Sequence, residues 1–523
     1  MTGFLRLGVQ INPRITTLFI REYNPVKCLR IATSPRDTMV GCGLSYPTGS
    51  RPLSVNRREF LRGAAGVSAA ALASAVSCSK VQVGPVDTAL PSPANSGIEH
   101  VVVVMMENRS FDHMLGWLTN ANGRQAGLSY MDRNGSLQPT QRLDFYVGCA
   151  HPDPVHTYDG GRTVVDGGKM DGWLQAGAND SFSIDYYEEA DLPLFASLAR
   201  NFTALDNYFS SILSSTTPNR IFQHAAQTDR LSNTSDLCTL PTIWDNMQAA
   251  GVSCRYYYTN VPFLSLWGTK YVGISSLYEQ FAADAASGEL PAVSFVDPQF
   301  TLLDDGTGAD DHPHADLRNG EIFLRNVVYT LAASPNWKNT VLVINRDEWG
   351  GFFDHVPPPR VVAANAVDTD LVEGKALLGC RVPTLIVSPF ARGNPANPRV
   401  NSLLYDHTSV LKLIEWRWGL QPLSARDASN EVANLASALN FNGQDASLPP
   451  LPVIAAPLLE SCTPSAILES RSTRGAVIDS VRAMQVARTE NSNGIGNESY
   501  HFYLLLKSER MVGWPLPASL NEK

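Results

Sequence analysis

The stretch His100–Trp117, HVVVVMMENRSFDHMLGW, decides how the rest of this 523-residue chain can fold. Val101–Val104 is a continuous apolar run rather than an alternating one, which predicts a parallel-sheet strand buried on both faces. Polar residues follow directly, beginning with Glu107 and Asn108. Because open α/β sheets bind ligands at the carboxyl ends of their strands, this strand end is a candidate site. The alternative is a capped turn, in which Asn108 or Ser110 only begins the next helix.

The composition argues against a nucleic-acid partner and against a membrane-spanning fold. The net charge is -9, and no run rich in Lys and Arg offers the positive field that nucleic-acid phosphates need. We therefore expect no nucleic-acid partner. Beyond the N-terminal region, no stretch of about 18 residues is apolar enough to suggest a membrane span, so we expect a soluble body.

Residues 1–80 are predicted to form an N-terminal extension that contains an export signal. Asn56–Arg62, NRREFLR, precedes a weakly apolar run, Gly63–Ser77, and this order is typical of a bacterial twin-arginine signal. An amphipathic cytosolic helix is the alternative, but a run so rich in Ala, Gly and Ser would bury too little surface. The protein is therefore expected to be exported already folded.

The start and the processing of this extension are left open. An export signal belongs at the extreme N-terminus, so we expect the true start to lie at Met39 or Val55. Cleavage could follow the A-x-A pattern of Ala73–Ala75. A lipid on Cys78 is the weaker alternative because Ala75 stands where Leu is usual. The exported protein would then be secreted, associated with the cell wall or lipid-anchored.

The cysteines beyond residue 80 show no C-x-x-C motif and no zinc-ligand spacing. Since twin-arginine cargo crosses the membrane folded, these thiols do not by themselves imply a disulfide framework. We expect scattered core thiols, with Cys238 and Cys254 as the one pair to test for a bridge. The five residues are Cys149, Cys238, Cys254, Cys380 and Cys462.

A single catalytic domain is predicted over residues 98–448. A linker rich in Pro, Ser and Asn, residues 81–97, separates it from the export signal. Residues 449–523 begin rich in Pro and Ala and show no pattern continuous with the domain, so they are interpreted as a poorly ordered C-terminal tail.

A second apolar run, Val341–Ile344, also ends in polar residues, among them the adjacent acids Asp347 and Glu348. Neighbouring residues of a regular strand point to opposite faces, so two adjacent acids can share one site only at a strand end or bend. Gly350-Gly351 would allow such a bend. Oxygen ligands suit a hard divalent cation. The two strand ends therefore predict one divalent metal ion held by Glu107, Asn108, Asp347 and Glu348.

Four hydroxyl side chains, Ser214–Thr217, lie just before a helix predicted over residues 221–228, and Pro218 suits a first helical turn. A hydroxyl here could cap the helix. It could also be a nucleophile, because backbone N–H groups at a helix N-terminus favour a phosphoryl group. The two interpretations are compatible. With histidines in several loops to donate protons, these parts suit metal-assisted displacement at phosphorus.

Eight blocks of sequence, in order between about Ile98 and Asn440, resemble the bacterial phosphoesterase family of non-zinc phospholipases C and related acid phosphatases. The blocks are ENRSFDHMLGW, DPVH, GGKMDGW, LDNYFSSILSSTTPNR, DHPHADLRNGE, DEWGGFFDHVPPP, RVPTLIVSPFAR and YDHTSVLKLIEWRWGL. The resemblance implies an alkaline-phosphatase-like α/β fold, a three-layer sandwich with a mostly parallel central sheet. It also implies a single metal at the four oxygen ligands and a phosphorylated hydroxyl intermediate.

The resemblance further implies roles for individual residues. The family's nucleophile stands two residues before Pro-Asn-Arg, which is Thr216 here. We expect Asn219 or Arg220 to steady the phosphoryl oxygens and His312 or His355 to protonate the leaving alcohol. The imidazoles expected to contact the phosphoryl group are those of His156, His312 and His355.

The sequence departs from the family pattern at three places. Trp349 stands where the family usually has His or Asn, and His314 stands where Pro is frequent. Residues 441–523 do not match the β-rich tail of the longer phospholipases, so the resemblance leaves peripheral contact with a lipid surface open.

The resemblance leaves several functions to compare. The leading hypothesis is an exported phospholipase C that acts on phospholipids, and the alternative is an acid phosphatase that acts on small phosphomonoesters. An inactive binding protein on the same fold is disfavoured, because the predicted nucleophile and all four metal ligands are present. A sulfatase-like hydrolase is set aside, because the C-x-P-x-R or S-x-P-x-R signature is absent.

Overall fold

The computed structural model describes residues 90–302, 306–455, 457, 462 and 501–521, and three short strands near the N-terminus. Those strands are Arg6–Leu7 (β1), Leu18–Glu22 (β2) and Lys27–Arg30 (β3), and they pair antiparallel in chain order within a unit that ends at Gln82. The predicted twin-arginine signal and its candidate processing sites lie outside the described residues.

The second unit, Val83–Lys523, alternates strands and helices. Its strands are His100–Met106 (β4), Ser129–Met131 (β5), Leu137–Pro139 (β6), Thr203–Leu205 (β7), Cys254–Tyr258 (β8), Ser275–Leu277 (β9), Val293–Val296 (β10), Thr340–Arg346 (β11), Arg360–Val362 (β12), Lys375–Leu377 (β13), Thr384–Val387 (β14) and Arg399–Asn401 (β15). Its α-helices are Phe111–Leu115 (α1), Tyr158–Val165 (α2), Pro193–Asn201 (α3), Thr216–Ala225 (α4), Ile243–Ala249 (α5), Tyr278–Ser287 (α6), Leu317–Ala333 (α7), His407–Trp418 (α8), Ala425–Ala428 (α9), His501–Leu506 (α10) and Ala518–Asn521 (α11). Short 3₁₀ helices are Pro93–Asn95, Asp166–Gly168, Ser181–Ile184, Phe263–Trp267, Val272–Ile274, Trp337–Asn339, Pro389–Ala391, Leu435–Ala438 and Glu509–Met511.

Eight strands form the central sheet in the order β15-β7-β14-β11-β4-β10-β8-β9. All neighbouring pairs are parallel except the two made by β14, which runs antiparallel to both β11 and β7. The predicted mostly parallel sheet is confirmed. Two small hairpins, β5-β6 and β12-β13, lie outside it.

Both faces of the sheet are covered, as the continuous valine run of β4 predicts. Val101 and Val103 pack into one core cluster with helices α4, α5 and α8. Val102 and Val104 pack into a second cluster with helices α1, α3, α6 and α7. The fold is therefore the predicted α/β sandwich of three layers. None of the helices among the described residues is long and apolar enough to cross a membrane.

The hydroxyl-rich turn differs from the prediction. The sequence predicts a helix that begins near residue 221, but α4 begins at Thr216, so Pro218 occupies its first turn. This position is compatible with proline, because the first N–H groups of a helix have no partner within the helix. The hydroxyl of Thr216 therefore belongs to the first residue of the helix.

The C-terminal segment and the cysteines also differ from the predictions. Helix α10 lies within the predicted poorly ordered tail, yet Phe502 is 2% exposed and joins the core cluster of β4. Cys149 and Cys462 form a disulfide with a Cα–Cα distance of 5.2 Å, whereas Cys238 and Cys254 are free thiols. The expectation of scattered thiols is therefore wrong for Cys149 and Cys462, and it is confirmed for Cys238 and Cys254, the pair singled out for a bridge test.

Candidate active site

Two strand ends meet at one edge of the central sheet. Strands β4 and β11 are parallel neighbours in a register that pairs Met106 with Arg346. The backbone N–H of Asp347 donates to the Met106 carbonyl at 3.1 Å. Glu107 and Asp347 therefore leave adjacent strands side by side, and both carboxylates are fully buried.

Glycines allow the turn after β11 to approach its neighbours closely. Gly350 has φ +60°, and a Cβ there would lie 2.2 Å from the carbonyl oxygen of Asn108. Gly351 has φ +74°, and a Cβ there would lie 2.6 Å from the backbone of Pro154. Only glycine fits such positions, because other residues pay for both the left-handed backbone and the clash. The bend predicted at Gly350-Gly351 thus brings the acid pair against the loop that carries His156.

Thr216 is the member of the hydroxyl turn that faces the buried acids. Its hydroxyl donates to Glu107 Oε2 at 3.2 Å and lies 3.4 Å from Asn108 Oδ1. The hydroxyl of Ser214 instead donates to the Leu231 carbonyl at 2.5 Å. Ser215 Oγ is buried without a hydrogen-bond partner among the described residues. The geometry therefore distinguishes Thr216 from these two neighbours.

Arg220 binds the acids rather than an exposed phosphoryl position. One helical turn after Thr216 and on the same face of α4, it donates from Nε to Glu107 Oε1 at 2.6 Å. Nη1 reaches Asp297 Oδ1 at 3.3 Å and Nη2 donates to the Met105 carbonyl at 2.9 Å. The side chain is 1% exposed. These contacts fix Glu107, and the predicted contact of Arg220 with phosphoryl oxygens stays a prediction.

Asn219 contacts the backbone of the hydroxyl turn. Its side-chain NH₂ donates to the carbonyls of Ile212, Ser214 and Ser215, and its oxygen accepts from the Ile212 N–H at 3.1 Å. These contacts shape the turn that presents Thr216, and the predicted contact with phosphoryl oxygens stays a prediction.

Two of the three predicted histidines reach the cluster. His156 Nδ1 lies 3.2 Å from Glu348 Oε1, and His312 Nε2 lies 3.0 Å from the Asn108 side chain. Burial, with a further contribution from the positive charge of His501, lowers the pKa of His156 to about 3. His156 is therefore neutral at physiological pH. Its Nε2 atom is buried and has no hydrogen-bond partner in the described part of the chain.

His355 belongs to a different group of residues. Its Nδ1 lies 2.5 Å from Asp112 Oδ2, and its Nε2 lies 3.1 Å from Asn122 Oδ1. Arg381 binds Asp112 at 3.1 Å and also binds Asp354. The contacts of His355 within the described structure are thus to this ion network, not to Thr216 or its acids.

The four predicted ligands have the chemistry to hold a cation. In the orientation that satisfies the metal-free protein, the Asn108 side-chain NH₂ donates to Glu348 Oε1 at 2.9 Å and to Glu107 Oε2 at 3.0 Å, and its oxygen accepts from His312 Nε2. With the amide turned over, the Asn108 oxygen would join both carboxylates as a ligand of a hard cation. Asp347 Oδ2 is also buried, and the described residues offer it no hydrogen-bond donor, although Arg220 Nε lies 3.8 Å away.

The electrostatics of the cluster favour the same conclusion. Burial, together with the negative charge of Asp347, raises the pKa of Glu107 well above its ordinary value. Burial also raises the pKa of Asp347, although Arg220 opposes the shift. Glu107, Asp347 and Glu348 are three buried carboxylates, and Arg220 is the buried arginine that pairs with the first two. A divalent cation would offset the excess of negative charge.

Sequence reasoning missed His407, the first residue of α8. Its Nε2 lies 2.6 Å from the carbonyl oxygen of Asp347, and Tyr208 lies 3.2 Å from its Nδ1. Burial lowers its pKa to about 4, so the ring is neutral and donates from Nε2 to that carbonyl. His407 therefore fixes the acid turn from behind. The Asp406-His407 pair in the block YDHTSVLKLIEWRWGL was the available signal.

Trp349 and His314 lie away from the predicted ligands. Trp349 is fully buried with Trp173 and Phe353 in a third core cluster, so it supports the acid turn by apolar contact. His314 Nε2 lies 3.0 Å from the carbonyl oxygen of His151.

At one edge of the sheet, the hydroxyl at the start of α4 lies beside buried oxygen ligands and imidazoles. This combination, on an α/β sandwich, is typical of a hydrolase of phosphoric esters. Residues 98–421 match the model of the Phosphoesterase family, and the chain belongs to that family. It is similar to Phospholipase C A of Mycobacterium tuberculosis, with 30% identity over 490 residues, covering 80% of this chain and 92% of that protein. It is also similar to Non-specific phospholipase C1 of Arabidopsis thaliana, with 33% identity over 377 residues, covering 65% and 70% of the two chains.

Proposed function

We propose that the protein is a metal-dependent phospholipase C that cleaves phospholipid phosphodiesters through a phosphothreonine at Thr216. The observation that carries this proposal is the position of the Thr216 hydroxyl, 3.2 Å from Glu107 Oε2 at the first residue of α4. The names of the relatives supply the substrate class, since the bacterial and the plant protein are both phospholipases C.

The proposed reaction has two steps. Thr216 gives its hydroxyl proton to Glu107, Oγ1 forms a bond to phosphorus, and the bond from phosphorus to the diacylglycerol oxygen breaks. His312 protonates the departing alcohol, because His156 is neutral and His355 contacts other residues. Water then gives a proton to His312 and attacks phosphorus, the bond from phosphorus to Oγ1 breaks, Glu107 returns the proton to Thr216, and the phosphorylated head group is released. When bound, the cation stabilises the charge that develops on the phosphoryl oxygens.

The chain's own residues orient these groups. Asn219 fixes the turn before Thr216, and Arg220 fixes the carboxylate that accepts the hydrogen bond of Thr216. His407 holds the Asp347 backbone. Because all of these side chains are buried, the site is rigid before substrate binds, which lowers the entropic cost of reaching the transition state.

A panel of three substrates tests the reaction class. Purified protein is assayed on phosphatidylcholine, p-nitrophenylphosphorylcholine and p-nitrophenyl phosphate. We expect release of diacylglycerol and turnover of both diesters. Turnover of the monoester alone would support the alternative, an acid phosphatase that uses the same Thr216 site. Loss of all three activities in metal-loaded protein would support the inactive binding protein.

The metal requirement is tested by Asp347→Ala, with Glu321→Ala as a matched control. Glu321 is also a buried acid, but it accepts from the backbone of Leu194 and Phe195 at the start of α3. We expect Asp347→Ala to lose bound metal and activity together, while Glu321→Ala retains its metal. Stoichiometric metal in Asp347→Ala would reject the proposed ligand set.

We propose export as a folded protein by the twin-arginine route, on the basis of Arg57, Arg58 and the weakly apolar run after them. Changing both arginines to lysine should retain the precursor in the cytoplasm. Normal export of this double variant would show that another route is used.

A further inference from the structure

Three side chains that can bind a metal ion meet beside the oxygen ligands. Asp153, His156 and His312 each offer one ligand atom, and these three atoms lie within 4.8 Å of one another. The two imidazole rings have their centroids 6.1 Å apart, at an interplanar angle of 73°. Ligands that bind a tetrahedral ion at about 2.0 Å are about 3.3 Å apart, so small movements of these side chains would close the cluster on an ion.

The two loops that carry this cluster are fixed by hydrogen bonds of their own. Between Asp153 and His156, the backbone N–H of Val155 donates to Asn179 Oδ1 at 2.7 Å. In the other loop, the backbone N–H of His312 donates to a carboxylate oxygen two residues before it at 3.2 Å. The backbone of the cluster is therefore in place before an ion binds, which lowers the entropic cost of binding.

His156 has a buried nitrogen atom that an ion can bind. Its side chain is 0% exposed, and its Nε2 atom has no hydrogen-bond partner among the described residues. Its other ring nitrogen, Nδ1, lies 3.2 Å from Glu348 Oε1. With the ring proton on Nδ1 and donated to this carboxylate, Nε2 carries a lone pair. A carboxylate behind the opposite ring nitrogen is the usual support of a metal-binding histidine.

His312 offers the nitrogen atom that the proposed reaction uses. Its Nδ1 contacts the Pro313 carbonyl, so Nε2 is the atom that can protonate a leaving alcohol, and Nε2 lies 3.0 Å from the Asn108 side chain. An imidazole nitrogen has one lone pair, which binds either a proton or a metal ion. An ion at Nε2 would release the proton to solvent and remove the acid of the reaction.

The donor atoms of the cluster favour a different ion from the one expected at the oxygen ligands. Two imidazole nitrogens and one carboxylate oxygen suit Zn²⁺ and leave one of its four positions open, whereas ligands with oxygen alone suit a harder cation. Asp153 is partly exposed, while both imidazoles are buried. An ion can therefore reach the cluster from the side of Asp153.

We propose that Asp153, His156 and His312 form an inhibitory Zn²⁺ site beside the predicted hard-cation site. The binding of Zn²⁺ rests on the geometry of these three residues. Its inhibitory effect rests on the proposed function, in which His312 protonates the leaving alcohol. Asp153 has no role in the proposed reaction, so its replacement separates Zn²⁺ binding from catalysis.

The test uses the full-length protein in its active, metal-loaded form, with Zn²⁺ as the added probe. Asp153→Ala removes one proposed ligand. Asp159→Ala is the matched control, since Asp159 is an exposed acid in the first turn of α2, shortly after His156. The readouts are the Zn²⁺ bound per chain after equilibrium dialysis, by elemental analysis, and the Zn²⁺ concentration that halves the hydrolysis of p-nitrophenylphosphorylcholine.

We expect the parent protein and Asp159→Ala to bind one additional Zn²⁺ per chain and to lose activity as they do so. Asp153→Ala should keep its activity without Zn²⁺, and its inhibition should need at least about tenfold more Zn²⁺, since loss of even an indirect support weakens a metal site by about 10–100-fold. Equal half-inhibiting concentrations for the two variants would overturn the proposal. Inhibition that excess hard cation relieves equally in both variants would place Zn²⁺ at the oxygen ligands and would also overturn it.

A Co²⁺ spectrum of the parent protein covers the case in which Asp153→Ala lowers the Tm or the activity without Zn²⁺. Four-coordinate Co²⁺ absorbs visible light strongly, whereas Co²⁺ in an octahedral oxygen site absorbs weakly. We expect a strong band in the parent protein and its loss on addition of Zn²⁺. Absence of a strong band from the parent protein would reject the site whatever the variants do.

Thr216→Ala in the same dialysis experiment separates this inference from the proposed function. It should bind the additional Zn²⁺ as the parent protein does, although it is inactive. If Thr216→Ala is active, the proposed function fails while the Zn²⁺ stoichiometry still tests the cluster. If Thr216→Ala is inactive and Asp153→Ala binds Zn²⁺ as tightly as the parent protein, the proposed function stands and only the Zn²⁺ site fails.

Discussion

Replacement of Thr216 by alanine distinguishes two roles of its hydroxyl, a nucleophile or a structural group at the start of a helix. The side chain donates to Glu107 Oε2 at 3.2 Å and lies 3.4 Å from Asn108 Oδ1, and Glu107 remains bound to Arg220 after the change. No apolar group beyond one methyl is lost. We therefore expect Thr216→Ala to fold and to retain its metal.

The two effects of this substitution differ greatly in size. Loss of one hydrogen bond should lower the free energy of unfolding by about 1 kcal/mol. Loss of the attacking atom should lower kcat by about 10⁴-fold, which corresponds to about 5 kcal/mol in the activation free energy. Stability and activity are thus predicted to change by clearly different amounts.

The assay compares three alanine variants at the hydroxyl turn. Urea unfolding gives stability, and hydrolysis of p-nitrophenylphosphorylcholine gives kcat. Ser215→Ala and Thr217→Ala are the controls, because neither side chain contacts Glu107 in the described structure. Thr216→Ser should retain measurable activity, since it keeps the hydroxyl. Near-parental turnover by Thr216→Ala, with an inactive Ser215→Ala, would place the nucleophile at Ser215.

Three further predictions concern stability. Arg220→Met should lower the free energy of unfolding by about 3–5 kcal/mol in metal-free protein, because it leaves Glu107 buried without its cation; urea denaturation measures this. Cys462→Ser removes a cross-link to Cys149 across 313 residues and should cost about 2–5 kcal/mol under oxidising conditions, while reductant should remove the difference from the parent protein. Burial raises the pKa of Glu415 to about 9. The contribution of this group to the free energy of unfolding is therefore fully present below about pH 4.5 and is lost as the pH rises towards 9. Glu415→Gln removes this dependence, and its advantage in unfolding experiments should grow by roughly 2 kcal/mol between pH 5 and pH 7; an equal advantage at both pH values would contradict the assigned cause.

The parts of the site that could be predicted are those with a local pattern. The valine run of β4 and the apolar run of β11 each end in oxygen ligands, and parallel strands place such ends at one edge. The sequence therefore indicated that Glu107 and Asp347 meet. The glycine pair after β11 likewise has a local signature, because a left-handed backbone favours glycine wherever it occurs.

The roles of Asn219 and Arg220 could not be predicted from spacing. The motif shows that both residues follow the nucleophile turn, but it does not show which partners already use their hydrogen-bonding groups. The Asn219 side chain binds backbone groups four to seven residues before it, and Arg220 binds a carboxylate 113 residues away. A buried polar side chain binds whichever partner the fold supplies, so its role depends on tertiary structure.

The contacts of the C-terminal segment could not be predicted either, because they join residues that are far apart in the sequence. The run His501–Leu506, HFYLLL, lies in the segment predicted to be a poorly ordered tail, and nothing near it identifies Phe300 as the surface that it covers. The disulfide across 313 residues has no local signal either, because its partners are chosen by the fold and not by spacing. The contacts that hold the C-terminal segment against the catalytic unit are therefore found only when the chain is folded, because they join residues more than 200 positions apart in the sequence.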